Sequence, residues 1–180
     1  MTLPTLGTLE TGPALLRADL VAEPVRAALA GWPRSAEVGV AEIDPELADT
    51  AACAEAYAVP LEAGANCVVV AGRRDGEQRV AACLVRSDTR ADVNNRVKRL
   101  LDVRKCSFLS MDRAVEESGM EYGGITPIGL PAHWRLLVDA RVLDLDLVLI
   151  GSGVRRSKLV VPGRLFADLP GAEIIDGLAG

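Results

Sequence analysis

Aromatic side chains are scarce in this sequence and make up only 3% of its 180 residues. Stacking platforms for single-stranded nucleic acid are built from aromatic rings, so the composition argues against a module that binds single strands in that way. The chain has one histidine, His133. A single imidazole excludes most histidine-based metal sites and weakens a Ser-His-Asp reading, and we interpret His133 as an ordinary polar residue.

Cysteine pairs and long apolar runs are also missing. Cys53, Cys67, Cys83 and Cys106 are scattered and form no Cys-x-x-Cys motif, so we expect reduced thiols and no metal site. Cys106 follows Arg104 and Lys105, but the sequence cannot show whether they contact its thiol. No apolar run approaches the roughly 18 residues of a membrane span, and no basic, apolar signal sequence is visible. These absences predict a cytoplasmic protein.

The usual phosphate-binding motifs are absent. Gly151-Ser152-Gly153 does not continue to the third glycine of a dinucleotide fingerprint, and no Gly-Lys-Ser/Thr sequence occurs. We therefore expect no cofactor.

What is present fits one globular domain spanning residues 1–180, with 49% hydrophobic and 25% charged residues and no internal repeat. The formal charge of −5 and the pI near 5.0 give no general attraction to a polyanion. We expect no DNA partner, and any contact with RNA must come from a local positive patch.

The pattern of apolar and turn-forming residues predicts an α+β fold. Residues 1–11 are expected to form a flexible arm, and Pro24 is expected to bend or divide a helical stretch over 12–29. An Asp75-Gly76 turn between apolar runs predicts a hairpin. The predicted strands are 37–43, 66–71, 79–86, 134–140, 145–150, 158–161 and 172–175. The predicted helices are one capped by Thr50, one over 88–101, one capped by Ser110 or Asp112, and one begun by Pro162.

The segment 123–131 holds three glycines and two prolines, which excludes a helix interior and predicts a shaped loop. Such a loop can aim backbone N–H groups at a carbonyl or phosphate oxygen. A tight connection between a helix and a strand is the alternative interpretation.

Five basic residues lie close together in the sequence and form what we term the basic cluster: Arg96, Lys98, Arg99, Arg104 and Lys105. The cluster could meet the phosphates of a nucleic acid, or it could simply be a solvated helix face.

The order of these segments resembles the YbaK/EbsC family of free-standing aminoacyl-tRNA deacylases, which are similar to the editing domain of bacterial prolyl-tRNA synthetases. The resemblance covers about residues 25–178. Its most specific part is Gly123-Gly124-Ile125-Thr126-Pro127, which looks like the family's G-x-x-x-P loop, with support from Gly151-Ser152-Gly153 and the run 159–162. By resemblance, the fold is a strongly curved mixed sheet surrounded by helices, and the reaction is hydrolysis of a mischarged aminoacyl-tRNA.

The resemblance also implies a set of site residues and one departure. Loop residues 123–127 would bind the reacting carbonyl, while Gly151, Ser152, Gly153, Arg104 and Lys105 would bind substrate. The family's principal lysine stands where this chain has Asn66. Asparagine can orient a hydroxyl, an amine or water, but it carries no charge to neutralise an oxyanion.

Two function classes therefore stay open. The first is an aminoacyl-tRNA deacylase with an altered pocket, whose partner is the acceptor end of tRNA. The second is a binding module that kept the fold and lost the reaction, and an unrelated hydrolase is a distant third.

Overall fold

The computed structural model describes residues 3 and 5–180, whose strands form two sheets. In chain order the strands are β1 (Thr11–Pro13), β2 (Gly39–Glu42), β3 (Ala65–Arg74), β4 (Glu77–Arg86), β5 (Cys106–Phe108), β6 (Arg135–Asp139), β7 (Val148–Gly151), β8 (Ser157–Val161) and β9 (Ala172–Ile175). The smaller sheet has the order β1-β2-β8-β7 and is antiparallel. The larger sheet has the order β5-β3-β4-β6-β9 and is mixed, because β6 runs parallel to β4 and β9.

The helices pack around these sheets and are short. They are α1 (Glu23–Gly31), α2 (Thr50–Ala56), α3 (Lys98–Leu101), α4 (Met111–Ser118) and α5 (Ala140–Leu143), and a π-helical turn, Val93–Val97, leads into α3. The predicted α+β class is confirmed. No helix in the described part of the chain is long and apolar enough to cross a membrane, and the expected cytoplasmic location stays a prediction.

Three apolar layers explain how a chain with few aromatics builds a core. The central layer lies between the two sheets, with Val40 and Leu159 of the smaller sheet facing Leu84 of the larger one. Behind the larger sheet, Cys83 packs with Val97 and its helical neighbours. Behind the smaller sheet, Val160 packs with α2. Aliphatic side chains fill all three layers, which suits the close-packed interiors that proteins require.

The predicted hairpin is confirmed as β3 and β4, whose register runs from Ala65 opposite Arg86 to Arg74 opposite Glu77. Both turn residues have positive φ, 52° at Asp75 and 84° at Gly76. This backbone conformation is the one that an Asp-Gly pair favours in a two-residue hairpin turn. The hairpin forms the centre of the larger sheet and carries Asn66 near its open end.

The helical prediction for 12–29 is wrong in its first half. Thr11–Pro13 pairs with β2, and two single 3-10 turns follow at Ala14–Leu16 and Ala18–Leu20. Pro24 lies in the first turn of α1, where its missing N–H costs no helical hydrogen bond. The apolar spacing before Pro24 therefore reflects burial of separate turns.

Two helix starts also differ from the prediction. Asp92 caps the helix expected over 88–101 by accepting from the N–H groups of Asn95 and Arg96, while Asp88 pairs with Arg86. Asp49, one residue before Thr50, caps α2 through the N–H of Ala51. In both cases the aspartate whose carboxylate reaches the free N–H groups determines where the helix begins.

The structure describes most of the predicted N-terminal arm, although residues 1, 2 and 4 lie outside the described part. Leu9 is buried behind the smaller sheet, and the N–H of Thr8 donates to the Tyr57 carbonyl at 2.9 Å. The predicted flexibility of the arm and the predicted domain limits stay predictions.

Candidate functional site

A cleft of about 500 Å³ opens where the two sheets join. Leu149 of β7 bridges to Gly64, the residue before β3, and β5 pairs with β3 only from Val70 onward. Within the described chain, the intervening β3 residues have no neighbouring strand on that side. The cleft runs along this gap and is lined chiefly by α2, β3, the loop after α4, and the ends of β7 and β8.

The loop 121–125 is fastened to the turn between β7 and β8 by its backbone. The Gly124 carbonyl accepts from the N–H of Gly153 at 2.8 Å, and the Gly124 N–H donates to the Glu121 carbonyl at 2.9 Å. A Cβ at position 124 would lie 2.9 Å from the Val154 nitrogen. The absence of a side chain therefore lets two loops pack against each other at the cleft wall.

Only part of the Gly/Pro loop faces the cleft. Gly123 and Ile125 line it, and no acceptor in the described structure takes a hydrogen bond from either N–H. The Gly124 N–H is already used within the loop, Thr126 is fully buried, and Pro127 has no N–H and lines a separate apolar cavity. Among the cleft-lining residues of this loop, Gly123 and Ile125 are therefore the ones whose N–H groups have no acceptor within the described structure.

Asn66 also lines the cleft, and α2 fixes its orientation. The Thr50 hydroxyl donates to the Asn66 Oδ1 at 2.7 Å. With this oxygen occupied, the amide Nδ2 can donate to a ligand.

The turn 151–153 divides between the cleft and the interior. Gly151 lines the cleft, and a Cβ there would lie 2.5 Å from the Gly124 carbonyl oxygen. Ser152 is buried, and its hydroxyl bonds to Val154 and Ser157, while Gly153 packs against Ala22 with a φ of 86°. Of the three predicted substrate contacts in this turn, only Gly151 lies at the cleft. Ser152 and Gly153 lie in the packed interior behind the turn.

Arg104 and Lys105 are exposed and do not line the cleft. They lie just before β5, whose last residue, Phe108, does line it and is 66% exposed. Elsewhere in the basic cluster, Arg96 donates to the Asp176 carbonyl, and Arg99 donates to that of Asn95. These two arginines are thus partly engaged within the fold.

Three charged residues of the cleft escaped the sequence analysis: Asp49, Arg155 and Lys158. Arg155 donates to the Pro45 carbonyl at 3.0 Å and lies over the Tyr122 ring at 5.9 Å. Lys158 is only 8% exposed, and burial lowers the pKa of its ammonium group. The signal that could have found it is a lone lysine near the start of a buried strand whose next three residues are apolar.

Two cysteines, Cys53 and Cys67, line the cleft, and burial raises the pKa of both thiols. Burial also raises the pKa of Cys106. A thiol with a raised pKa stays protonated at neutral pH and is a poor nucleophile. His133 is exposed and stacks edge-on against Trp134. The described residues include no group of three or more metal-ligating side chains, and the expected lack of a cofactor stays a prediction.

The family model of the aminoacyl-tRNA editing domain matches residues 44–169, more than two thirds of the chain. The chain belongs to the aminoacyl-tRNA editing domain family. The predicted resemblance to editing proteins is thereby confirmed, and the matched segment of this editing domain includes the cleft residues of α2, β3, β7 and β8.

Solved structures support the same fold for the editing domain. The hypothetical protein APE2540 superposes with a TM-score of 0.75 at 22% identity, over 88% of this chain and 100% of that protein. A candidate trans-editing enzyme for prolyl tRNA synthetase superposes with a TM-score of 0.72 at 20% identity, over 85% of this chain and 93% of that protein. At these identities the likeness establishes the fold alone.

Proposed function

We propose that this protein is an aminoacyl-tRNA deacylase that hydrolyses the ester between a wrong amino acid and tRNA. The observation that carries the proposal is a cleft, within a chain of the editing family, that combines free backbone donors with polar side chains. The acyl group would enter the gap beside β3, with the acceptor end of the tRNA at the cleft mouth.

The reaction needs few catalytic groups, because an aminoacyl ester is already activated toward hydrolysis. Water adds to the carbonyl carbon, negative charge develops on the carbonyl oxygen, and the bond to the ribose oxygen then breaks. That oxygen takes a proton, so the products are a free amino acid and a tRNA with its hydroxyl restored. The main tasks are to position water and to stabilise the oxyanion.

Within the proposal, the N–H groups of Gly123 and Ile125 stabilise the oxyanion. The sequence analysis assigned the whole loop 123–127 to the reacting carbonyl. The proposal keeps only two of its N–H groups, because the Gly124 N–H donates to the Glu121 carbonyl. Asn66, held by Thr50, would use its Nδ2 to orient a ribose hydroxyl or the attacking water. Gly124, Thr126 and Pro127 would shape the loop without touching substrate.

A binding module is the second candidate, and one observation favours it. The resemblance aligns Asn66 with the family's lysine, and an amide cannot replace the charge of an ammonium group. Such a module would bind the acceptor end of an aminoacyl-tRNA and release no amino acid.

A deacylation panel tests the proposal. The purified wild-type protein is mixed with tRNAs that each carry a wrong amino acid, and released amino acid is measured against spontaneous hydrolysis. The proposal predicts that at least one substrate is hydrolysed well above the spontaneous rate. Binding of the same tRNAs without any release would contradict it and favour the binding module.

A further inference from the structure

We infer that Lys158, on β8, supplies the positive charge that this cleft lacks at position 66, and that its ammonium group donates to the carbonyl oxygen of the bound ester. This inference rests on the proposed function and deepens it. Lys158 would be a catalytic residue, because the charge it contacts grows as water adds to the carbonyl carbon. The lysine keeps its proton throughout, so the atom balance of the hydrolysis is unchanged.

The smaller sheet makes room for the Lys158 side chain. Lys158 lies opposite Ala41 on β2 and opposite Gly151 on β7, and paired residues of an antiparallel sheet point their side chains to the same face. Both neighbours are among the smallest residues available. The long side chain can therefore extend across the sheet toward α2 and the cleft.

Lys158 and Asn66 both bond to the same short segment, residues 48–50. The Lys158 Nζ donates to the Ala48 carbonyl at 2.8 Å, and the Asn66 side chain accepts from Thr50, two residues later. Both side chains line the same cleft, so a cation from β8 shares this space with Asn66, the residue that the resemblance aligns with the family's lysine. The positive charge can therefore come from β8 of the smaller sheet instead of β3 of the larger sheet, within the same cleft.

The surroundings of Lys158 leave its charge available to a ligand. Its ammonium has three donors, and the described residues provide one acceptor, the Ala48 carbonyl. Asp49 and Arg155 are its charged neighbours, and Lys158 forms no ion pair with a carboxylate of the described residues. The nearby Cys53 thiol is kept neutral by its raised pKa.

A buried cation without an ion pair is costly, and a buried charged group in a cleft is a candidate functional residue. Burial also argues for an acyl oxygen over a phosphate as the group it meets. At 8% exposure, Lys158 lies too deep for a phosphate at the protein surface, whereas the acyl end of the substrate is the part that enters the cleft.

The test compares Lys158→Gln, Lys158→Arg and wild type at saturating mischarged tRNA. Glutamine keeps a donor for the Ala48 carbonyl but removes the charge. We expect kcat to fall about 100-fold, as for loss of one oxyanion donor. Arginine should retain part of kcat. Arg90→Gln, which removes an exposed charge outside the cleft, is the matched control and should keep the wild-type rate. A Lys158→Gln rate within threefold of wild type would overturn the inference.

Stability separates a catalytic lysine from a structural one. Lys158→Met removes the buried charge, so its midpoint of thermal unfolding should equal or exceed that of wild type. If Lys158 only ties Ala48 in place, both the midpoint and kcat should fall, and that result would overturn the inference.

A binding measurement tests the inference even if the protein shows no catalytic turnover. The probe is an aminoacyl-adenosine whose ester is replaced by an amide, titrated into each variant by calorimetry. We expect Lys158→Gln to bind it about tenfold more weakly, as for loss of a charged hydrogen bond. Unchanged affinity would overturn the inference. If the wild type hydrolyses no tested substrate but loses affinity on this substitution, the proposed reaction fails while the assigned contact stands.

Discussion

At the scale of single residues, the cleft depends on polar groups that the fold holds in fixed orientations. Thr50 occupies one atom of Asn66 and so leaves the other free. Lys158 is held through Ala48 in the same segment. The Asn66 amide, the Lys158 ammonium and the loop after α4 thus border one cleft of about 500 Å³.

Asn66→Ala should slow deacylation moderately, by about tenfold, because the side chain orients substrate and does not carry the developing charge. Thr50→Val should reproduce part of this effect, since the Asn66 amide then loses the hydrogen bond that fixes it. Both are measured as kcat/KM on a tRNA that the wild type hydrolyses. A full wild-type value for both variants would remove Asn66 from the site.

Lys158 gives deacylation a defined dependence on pH. Its pKa is lowered by burial, so the ammonium loses its proton at lower pH than an exposed lysine does. We therefore expect kcat, corrected for spontaneous hydrolysis, to fall as pH rises through that lowered pKa. Lys158→Arg should move the fall to higher pH because a guanidinium stays charged. An unchanged profile in Lys158→Arg would contradict the assignment.

The same shift affects stability with a definite sign. Between the lowered pKa and the ordinary lysine value of 10.5, the unfolded chain binds more protons at position 158 than the folded chain does. The contribution of this lysine to folding therefore becomes more favourable as pH rises through that window. Lys158→Met should lack this component of the pH dependence in denaturant titrations.

At the scale of elements, the loop after α4 acts through its backbone. Gly123 has a φ of 76°, and a Cβ there would approach the Arg155 guanidinium at 2.6 Å. Gly123→Val should lower kcat about 10²–10³-fold, because the strained loop would misplace the Gly123 and Ile125 donors. The effect is measured at saturating substrate.

Gly76 provides the matched control for that loop. It has a φ of 84° and open space around its missing Cβ, so Gly76→Val imposes similar backbone strain away from the cleft. We expect reduced stability with an unchanged deacylation rate. If both valine variants lose the same fraction of activity in step with stability, the loop has no special role.

The segment before β5 is the part of the basic cluster whose side chains are exposed and make no hydrogen bond or ion pair within the described chain, whereas Arg96 and Arg99 donate to backbone carbonyls. Reversing Arg104 and Lys105 to glutamate should weaken tRNA binding and flatten its salt dependence. Reversing Arg26 and Arg164, which pair with Glu23 and Glu37, makes the same change in net charge and is the control. Equal effects from both pairs would mean that only net charge matters.

At the scale of the whole molecule, the sequence predicted the turns and loops whose conformation depends on a few neighbouring residues. The Asp-Gly turn fixed the hairpin because its backbone angles depend on two residues. Glycines and prolines in 123–131 likewise excluded a helix interior and predicted a loop. The stretch before Pro24 was predicted as helix because its apolar spacing fits that period, but pairing with β2 and separate burial overrode local propensity.

The residues of the candidate site could be predicted only at positions that the family resemblance pointed to. Asn66, Gly123, Ile125 and Gly151 line one cleft, whereas Ser152, Thr126 and Pro127 turn away for reasons of packing that no spacing reveals. Lys158 was missed because β8 reads as a buried strand. Its approach to Ala48 joins positions 110 residues apart, which only the tertiary fold brings together.

The central claim is that this cleft hydrolyses aminoacyl-tRNA with its cation on β8 in place of β3. The most direct test is the single-turnover deacylation rate of four proteins: wild type, Lys158→Gln, Asn66→Lys, and the double variant. We predict turnover in the wild type, loss in Lys158→Gln, and at least tenfold recovery when Asn66→Lys returns a charge to the same space. A wild-type rate equal to spontaneous hydrolysis, or a Lys158→Gln rate equal to that of wild type, would contradict the account.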